Sequence, residues 1–115
     1  MKLEPVVVSL LCDYYGDLLT ETQRRCLLLY CDQDYSLAEI AEREGISRQG
    51  VHATLTRAES VLAGYEEKLG CLRRARVNQL ARETVRAAAG RIAARGGPSA
   101  ADAADILEAL SLMED

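Results

Sequence analysis

The 115-residue sequence contains no phenylalanine and no tryptophan, and it has only two prolines. Alanine, leucine, arginine and glutamate dominate instead, and these residues are strong helix formers. A chain of this length forms one small domain, or a domain with an appendage. We therefore predict an all-α fold.

Residue patterns for metal binding and catalysis are also missing. The four cysteines show no CxxC spacing, and a single histidine is available to join them. These cysteines are Cys12, Cys26, Cys31 and Cys71. We expect buried, reduced thiols rather than a zinc site. The sequence has no glycine-rich phosphate loop and no nucleophile beside a base, and adjacent acids such as Glu66 and Glu67 diverge on a helix. We predict neither an enzyme nor a bound cofactor.

No apolar stretch is long enough to span a bilayer. The apolar run that begins at Pro5 is short, and Glu4 interrupts the basic region that an export signal would need. No small-residue cleavage site follows the run. We therefore predict a cytoplasmic protein without a membrane partner.

Positive charge is scarce overall but concentrated in one segment. The formal net charge is -4. Residues 1–65 carry six basic and ten acidic side chains, residues 66–95 carry eight and three, and residues 96–115 carry none and five. The negative net charge argues against broad, nonspecific affinity for polyanions, but it does not argue against a local contact with nucleic acid.

Four hydroxyl residues occupy positions typical of helix N-caps. Three of them have a capping-box partner three residues later: Thr20 with Gln23, Ser36 with Glu39, and Ser99 with Asp102. Ser47 is the fourth candidate cap. Pro5 fits the first turn of an opening helix that ends near Tyr15, where Gly16 supplies a stop.

Apolar residues recur with helical spacing after these caps. The stripe that follows Ser47 passes Gly64 and continues through Leu72, which predicts a long helix, either straight or kinked at Gly64. An arginine-rich and alanine-rich helix is predicted from about Leu72 to Arg95. Its apolar residues are too few to bury it alone: Val77, Leu80, Val85 and Ile92. We predict that this helix packs on the first part of the chain or on a second copy in a homodimer.

The stretch SLAEIAEREGISRQGVHATL, which begins at Ser36, predicts a helix-turn-helix. Such a unit needs a small residue where the helices cross, a residue that can adopt a left-handed conformation in the turn, and apolar residues that pin both helices. Ala41 meets the first need and Gly45 the second. The pinning residues are Ile40, Ile46, Val51 and Leu55.

The outward face of the second helix is the candidate nucleic-acid-binding surface, because Val51 and Leu55 face the core. Its residues are Ser47, Arg48, Gln49, His52, Ala53, Thr56 and Arg57. Arginine suits guanine, glutamine suits adenine, and a hydroxyl at a helix N-terminus suits a phosphate. Three more arginines could contact the nucleic-acid backbone: Arg24, Arg25 and Arg43.

Other interpretations compete with direct DNA binding. Glu39, Glu42 and Glu44 lie on the preceding helix, and their field would weaken phosphate contacts. Helix-turn-helix units also serve as packing modules or protein-docking surfaces. The sequence leaves open an interaction adaptor that does not read DNA, and also RNA binding by the arginine-rich helix from Arg73 to Arg95.

The segment LLTETQRRCLLLYCDQDYSLAEIAEREGISRQGVHATLTRAESVLAGYEEKLG resembles the YlxM-like family of small bacterial helix-turn-helix proteins. The resemblance links the blocks LT..Q, YSL.EIAE..G.SRQ.V and YEEKL over about residues 6–73, and the helix-turn-helix portion is similar to region four of sigma factors. It implies a helical bundle with a sigma region four-like helix-turn-helix, a long helix and a C-terminal helical extension. We accordingly expect a helix-turn-helix domain over residues 1–70 and a dimerisation or partner-binding arm over residues 71–115.

The functional expectations also come from this resemblance. It implies a DNA-binding regulatory protein, often dimeric, that takes part in the signal recognition particle pathway. The alternative partners that it implies are the particle's RNA and its GTPase. Ser47, Arg48 and Gln49 match the family's SRQ motif. The sequence departs from the family pattern at Gly50, His52, Ala53 and Thr54, so the resemblance implies no base specificity.

Overall fold

The computed structural model describes residues 2–113, and it confirms the all-α prediction. The helices are α1 (Pro5–Tyr15), α2 (Glu21–Cys31), α3 (Leu37–Glu44), α4 (Arg48–Leu69), α5 (Cys71–Arg95) and α6 (Ala100–Leu112). A short 3-10 helix, Gly16–Leu18, follows α1, and no strand occurs in the described range. The chain divides into two compact units, Met1–Arg73 and Arg74–Asp115, called here the N-terminal and C-terminal units.

The predicted capping boxes of α2 and α3 are confirmed. Thr20 Oγ1 accepts a hydrogen bond from the Gln23 N–H at 3.2 Å, and Gln23 Oε1 accepts one from the Thr20 N–H at 3.1 Å. Ser36 and Glu39 form the same reciprocal pair at 3.1 and 3.0 Å. Each box satisfies amide groups that a helix start leaves without partners. The local sequence therefore determines where these two helices begin.

The end of α1 differs in part from the prediction. Pro5 lies in the first turn and the helix ends at Tyr15, as expected. Gly16, however, has a right-handed φ of -58° and does not stop the chain from coiling. The 3-10 helix continues to Leu18, and Leu19 is the first extended residue, with φ -85° and ψ 158°. A glycine permits a left-handed stop but does not impose one.

The core of the N-terminal unit lies between α1, α2, α3 and α4. Helix α4 packs against each of the other three helices, and the predicted apolar stripes face inward. The largest fully buried side chains are Val8, Cys26, Leu27, Ile40, Val51, Leu55 and Leu62. Burial of a large apolar side chain contributes roughly 1.5–3 kcal/mol, so this cluster holds the helix-turn-helix against α1 and α2.

Helix α4 runs through Gly64 and ends at Leu69. The predicted continuation of its apolar stripe to Leu72 is wrong, because Gly70 adopts a left-handed φ of 62° and its N–H donates to the Glu66 carbonyl at 2.8 Å. Leu72 lies on α5 instead. Glycine takes this conformation without steric cost, which makes it the usual residue after a helix end.

The Glu66 side chain satisfies the first amides of α5. Its Oε1 accepts from the Leu72 N–H and its Oε2 from the Arg73 N–H, both at 3.0 Å. Oε1 also accepts from the Tyr15 hydroxyl at 2.8 Å. From the sequence, Glu66 is only half of a diverging acidic pair. The local pattern does not reveal this role, because the partners come from two other helices.

The C-terminal unit contains most of α5 together with α6. The predicted break between them is confirmed, since Gly96 and Gly97 have φ values of 67° and 88°. The predicted capping box of Ser99 and Asp102 is wrong. Ser99 has helical backbone angles (φ -88°, ψ -6°), and its side chain makes no capping hydrogen bond. A capping hydroxyl reaches the amides of the first turn from an extended backbone.

The C-terminal unit buries few side chains: Ala89, Ala103 and Leu110. The apolar residues that the sequence analysis singled out on α5 are largely exposed: Val77, Leu80, Val85 and Ile92. No helix in the described part of the chain is both long and apolar enough to cross a membrane.

None of the four cysteines forms a disulfide. Cys26 is buried, and the other three are half-buried. Burial is the main cause that raises the pKa of the Cys31 thiol, to about 11. This thiol therefore stays protonated at neutral pH and is a poor nucleophile.

Candidate nucleic-acid interface

A three-residue turn joins α3 to α4. The predicted left-handed conformation of Gly45 is confirmed, with φ 69°. The N–H groups of Gly45 and Ile46 both point to the carbonyl of Ala41, with the Ile46 bond at 3.1 Å. These bonds close the end of α3. The sequence therefore builds a compact helix-turn-helix at the predicted place.

Ser47 caps α4, as predicted. Its backbone is extended, with φ -73° and ψ 159°, and its Oγ accepts a hydrogen bond from the Gly50 N–H at 2.9 Å. A Cβ atom added at Gly50 would lie only 3.2 Å from this Oγ. Gly50 thus leaves room for the cap. The Ser47 hydroxyl proton is still available to donate to a phosphate oxygen.

The two faces of α4 are divided as the spacing predicts. Val51 and Leu55 are buried against the core. The predicted nucleic-acid-binding residues are all exposed in the structure: Ser47, Arg48, Gln49, His52, Ala53, Thr56 and Arg57. These residues form what we call the recognition face, and they lie at the N-cap and on the first turns of α4.

One residue of the predicted helix-turn-helix core is misplaced. Ile40 and Ala41 are buried, but Ile46 is 40% exposed. Ile46 lies outside both helices, immediately before the Ser47 cap, and its side chain rests beside Gly50. A residue at this position covers the entry to the helix rather than reaching the core between helices.

An ion pair neutralises one of the three glutamates beside the recognition face. Arg25 Nη2 donates to Glu44 Oε1 at 2.8 Å, and its Nε lies at 3.2 and 3.3 Å from the two carboxylate oxygens. The hydrogen bond from Arg25 is the main cause that lowers the pKa of Glu44. Glu21 lies 3.9 Å from Arg25 on the other side. Arg25 is thus engaged in ion pairs within the protein, and its side chain stays 48% exposed.

The remaining acidic residues of α3 differ in their surroundings. Glu39 accepts the Ser36 N–H in the capping box, and this hydrogen bond is the main cause that lowers its pKa. Its charge faces the positive end of the α3 dipole. Glu42 is exposed to solvent. The acidic field near the recognition face is therefore weaker than three unpaired carboxylates would produce.

Arg43 is held by an aromatic neighbour. Its Nη1 donates to the Tyr35 hydroxyl at 3.0 Å, and its guanidinium carbon lies 5.7 Å from the centroid of the Tyr35 ring. This arrangement restricts the arginine while leaving it exposed. Arg24 is also exposed. Arg43 and Arg24 therefore remain candidates for backbone contacts, whereas Arg25 is already paired with Glu44.

Sequence reasoning missed a buried acid on α4. Glu59 is 6% exposed, and its Oε1 accepts from the Lys2 and Leu3 N–H groups at 2.8 and 3.2 Å. The helical spacing contained a signal, because Glu59 follows Leu55 by four residues and Val51 by eight, and so borders the buried stripe. The sequence gives no periodic signal for its partners, because Lys2 and Leu3 precede α1.

A comparison with protein-family models agrees with this geometry. The model of UPF0122, described as "Putative helix-turn-helix protein, YlxM / p13 like", matches residues 4–90. The chain belongs to this family. The matched range includes the whole N-terminal unit from Glu4 onward and much of α5.

Curated bacterial relatives match a shorter region. A UPF0122 protein of Desulforamulus reducens is 57% identical over 63 residues, which cover 55% of this chain and 54% of the relative. A UPF0122 protein of Thermoanaerobacter sp. (strain X514) is 55% identical over 67 residues, or 58% and 57% of the two chains. One from Symbiobacterium thermophilum is 49% identical over 63 residues, or 55% and 59%. The match thus spans little more than half the length of these relatives.

Proposed function

We propose that this chain is a DNA-binding regulatory protein that inserts the first turns of α4 into the major groove. One observation carries the proposal. All seven predicted recognition residues are exposed on one end of α4 while the opposite face of the same helix anchors the core. An α-helix held in this manner fits the width of the major groove, and its exposed side chains reach base edges.

The chemistry of the recognition face supports this function. Arg48 can donate two hydrogen bonds to guanine, and Gln49 can pair with adenine. The free helix N-terminus and the Ser47 hydroxyl suit a phosphate. The ion pair between Arg25 and Glu44 removes part of the negative field that would oppose such contacts. The protein acts by binding, and no catalytic step enters the proposal.

Selection from a pool of random-sequence DNA duplexes, followed by fluorescence anisotropy in increasing salt, tests this function. We expect an enriched sequence that binds the wild type more tightly than a scrambled duplex. Arg48→Ala should weaken binding to the enriched duplex by roughly 5- to 150-fold and should reduce the preference over the scrambled duplex. Arg91→Ala removes the same charge from an exposed position on α5 and serves as the matched control.

Arg91→Ala should lower affinity for both duplexes by a similar, smaller factor, because it changes only the overall charge. Direct base reading by α4 is ruled out if Arg48→Ala also weakens both duplexes equally, or if the wild type binds neither duplex at low salt. Signal recognition particle RNA, titrated in parallel, tests the alternative of an RNA-interaction adaptor. Tight RNA binding that is lost only in Arg73→Ala/Arg74→Ala/Arg76→Ala would favour that alternative.

The pathway and the cellular location are parts of the same proposal. The resemblance described above supports a role in the signal recognition particle pathway, with the particle's RNA or GTPase as further partners. This role would place the protein in the cytoplasm. Co-purification of the tagged protein with the particle's RNA and GTPase, before and after nuclease treatment, tests this part. Absence of both partners from the purified material would contradict it.

A homodimer formed through the C-terminal unit is the remaining part of the proposal. Val77, Leu80, Val85 and Ile92 are exposed and recur on one broad face of α5. An apolar helix face of this kind is more stable when a second copy covers it. Light scattering should give twice the chain mass of 12.6 kDa, and Leu80→Glu should reduce it to one chain. A wild type that stays at the mass of one chain at high concentration would contradict the dimer.

A further inference from the structure

The segment that precedes α1 is fixed to α4 by a buried side chain. Glu59 lies in the middle of α4 and is 6% exposed. Its Oε1 accepts the Lys2 N–H at 2.8 Å and the Leu3 N–H at 3.2 Å. The Leu3 side chain also packs against the core. Hydrogen bonds shielded from water are stronger than exposed ones, so these contacts determine where residues 2 and 3 lie.

This placement brings Lys2 next to the recognition face. Lys2 and Leu3 line the same cleft as His52 and Thr56, which are two members of that face. Lys2 is exposed, and its ammonium forms no ion pair with the other residues of the range 2–113. A lysine carries its charge on a flexible four-carbon stem. The Lys2 ammonium is therefore available to a polymer that binds the recognition face.

Lys2 and Arg57 lie on opposite sides of α4. Arg57 is exposed and precedes Glu59 by two positions, which corresponds to a rotation of about 200° around a helix with 3.6 residues per turn. Lys2 is held on the Glu59 side. The recognition residues whose directions fall between those of Glu59 and Arg57 are His52, Thr56, Gln49 and Ala53. One cation thus flanks the recognition face on each side.

This arrangement matches the two borders of a DNA groove. The major groove is about 12 Å wide, and a phosphate backbone runs along each of its edges. A helix inserted into the groove therefore has one strand on each flank, and cations on both flanks can position it. A lysine ammonium binds phosphate as a point charge and reads no base.

We propose that Lys2 is a further DNA-contacting residue, which binds a phosphate of one strand while Arg57 faces the other strand. Glu59 is the positioning residue that holds Lys2 at this flank. The inference rests on the proposed insertion of α4 into the major groove. It adds to that interface a residue from outside the helix-turn-helix, and this residue strengthens binding to any sequence.

Anisotropy titrations of Lys2→Gln test the phosphate contact, with the enriched and the scrambled duplex as probes. At about 0.1 M salt the variant should bind both duplexes roughly three- to tenfold more weakly than the wild type. The slope of log K against log salt concentration should become shallower by about 0.9, the value for one lost phosphate contact. The preference between the duplexes should not change.

Lys68→Gln is the matched control. Lys68 is an exposed lysine in the last turn of α4, about 24 Å from His52 along the axis at 1.5 Å per residue. This variant loses the same charge and should keep the wild-type salt slope. A wild-type slope for Lys2→Gln would overturn the proposal, and so would an equal decrease for Lys68→Gln.

Two substitutions of Glu59 test its positioning role. Both Glu59→Gln and Glu59→Leu remove the charge, but only glutamine keeps an oxygen that can accept the Lys2 and Leu3 N–H groups. Glu59→Gln should bind both duplexes at least as well as the wild type. Glu59→Leu should lose as much affinity as Lys2→Gln. Equal affinities for the two Glu59 variants would overturn the positioning role.

A double-mutant cycle separates positioning from a general loss of stability. Lys2→Gln should cause no further loss of affinity in the Glu59→Leu background and its full loss in the Glu59→Gln background. A full loss in both backgrounds would contradict the role of Glu59. Lys2→Gln changes only an exposed side chain and keeps the N–H that Glu59 binds, so its result remains decisive even if Glu59→Leu fails to fold.

Arg48→Ala, titrated in parallel, distinguishes failure of this inference from failure of the proposed function. A sequence-dependent loss for Arg48→Ala beside an unchanged Lys2→Gln would overturn the Lys2 contact alone. An equal loss of both duplexes in Arg48→Ala, beside a shallower slope for Lys2→Gln, would overturn base reading and support the phosphate contact. A wild type that binds neither duplex at low salt would overturn both.

Discussion

The hydroxyl of Tyr15 donates a hydrogen bond to Glu66 Oε1 at 2.8 Å and accepts one from the Cys71 N–H at 3.0 Å. Tyr15 is the last residue of α1, Glu66 lies near the end of α4, and Cys71 begins α5. The Tyr15 ring also stacks on Tyr65, with 5.9 Å between the ring centroids. One buried side chain therefore links the ends of α1 and α4 to the first residue of α5.

Removing this hydroxyl should destabilise the N-terminal unit. Tyr15→Phe keeps the ring but removes two hydrogen bonds, the one to Glu66 and the one from the Cys71 N–H, and such losses are costly in buried sites. We expect the melting temperature to fall by roughly 5 °C. Tyr14→Phe is the matched control, because Tyr14 is 47% exposed whereas Tyr15 is 2% exposed. Equal melting temperatures for the two variants would contradict this prediction.

Stability at acid pH should depend on Glu66. Burial opposes its ionisation, but hydrogen bonds from Tyr15, Leu72 and Arg73 outweigh burial and lower its pKa below the ordinary value of 4.5. A lowered pKa stabilises the folded state above the pKa of the unfolded chain, and this stability is lost as the pH falls through the folded pKa. Glu66→Gln should therefore be less stable than the wild type at pH 7.

Urea denaturation at a series of pH values measures this effect. Between about pH 5 and pH 3, the free energy of unfolding should decline less steeply for Glu66→Gln than for the wild type. Glu67→Gln changes the exposed neighbouring acid and should keep the wild-type slope. A Glu66→Gln slope that equals the wild-type slope would show that the carboxylate contributes no pH-dependent stability.

Two glycines should respond to alanine in opposite directions. Gly45 has φ 69°, and alanine in this region costs about 1–2 kcal/mol, so Gly45→Ala should lower the free energy of unfolding. Gly64 lies inside α4, and an added Cβ there meets no atom within 4 Å. Gly64→Ala should raise the free energy of unfolding by about 0.5–1 kcal/mol. Urea denaturation measures the free energy of unfolding of both variants. Changes of the same sign would contradict the prediction.

The two isoleucines of the helix-turn-helix should differ in the same assay. Ile40 is fully buried, so Ile40→Ala should cost about 2–5 kcal/mol. Ile46 is 40% exposed, so Ile46→Ala should cost less than about 1 kcal/mol. If both substitutions cost the same, Ile46 would belong to the core after all.

Nucleic-acid affinity should depend on the ion pair between Arg25 and Glu44, if the proposed function holds. Arg25→Gln frees the Glu44 carboxylate near the recognition face and should weaken DNA binding by roughly two- to fivefold at low salt. Arg25→Gln/Glu44→Gln removes both charges and should bind nearly as well as the wild type. An equal loss in the single and double variants would mean that Arg25 itself contacts the DNA.

Predictions from the sequence were most accurate where a structure depends on residues close in the chain. The capping boxes of Thr20 and Ser36, the left-handed Gly45 and the Ser47 cap all involve partners within four residues. The inward face of α4 follows from helical spacing alone. The Ser99 cap failed because the backbone before α6 is not extended at that residue, and neither propensity nor spacing specifies that angle.

The candidate site was predicted in part. The exposed recognition face and the turn follow from the periodic pattern around Gly45. The engagement of Arg25 by Glu44 could not be predicted, because the two residues lie on different helices and 19 positions apart. The sequence therefore offered Arg25 as a candidate for a backbone contact without indicating its ion pair.

The sequence by itself determined the helical class, the starts of α2, α3 and α4, and the division of α4 into a buried and an exposed face. These features depend on hydrogen bonds and periodicities that span a few residues. Only the tertiary structure decided that Glu66 binds Tyr15 and the start of α5, and that the buried Glu59 accepts the Lys2 and Leu3 N–H groups. Those partners meet through the packing of helices, which local sequence patterns do not encode.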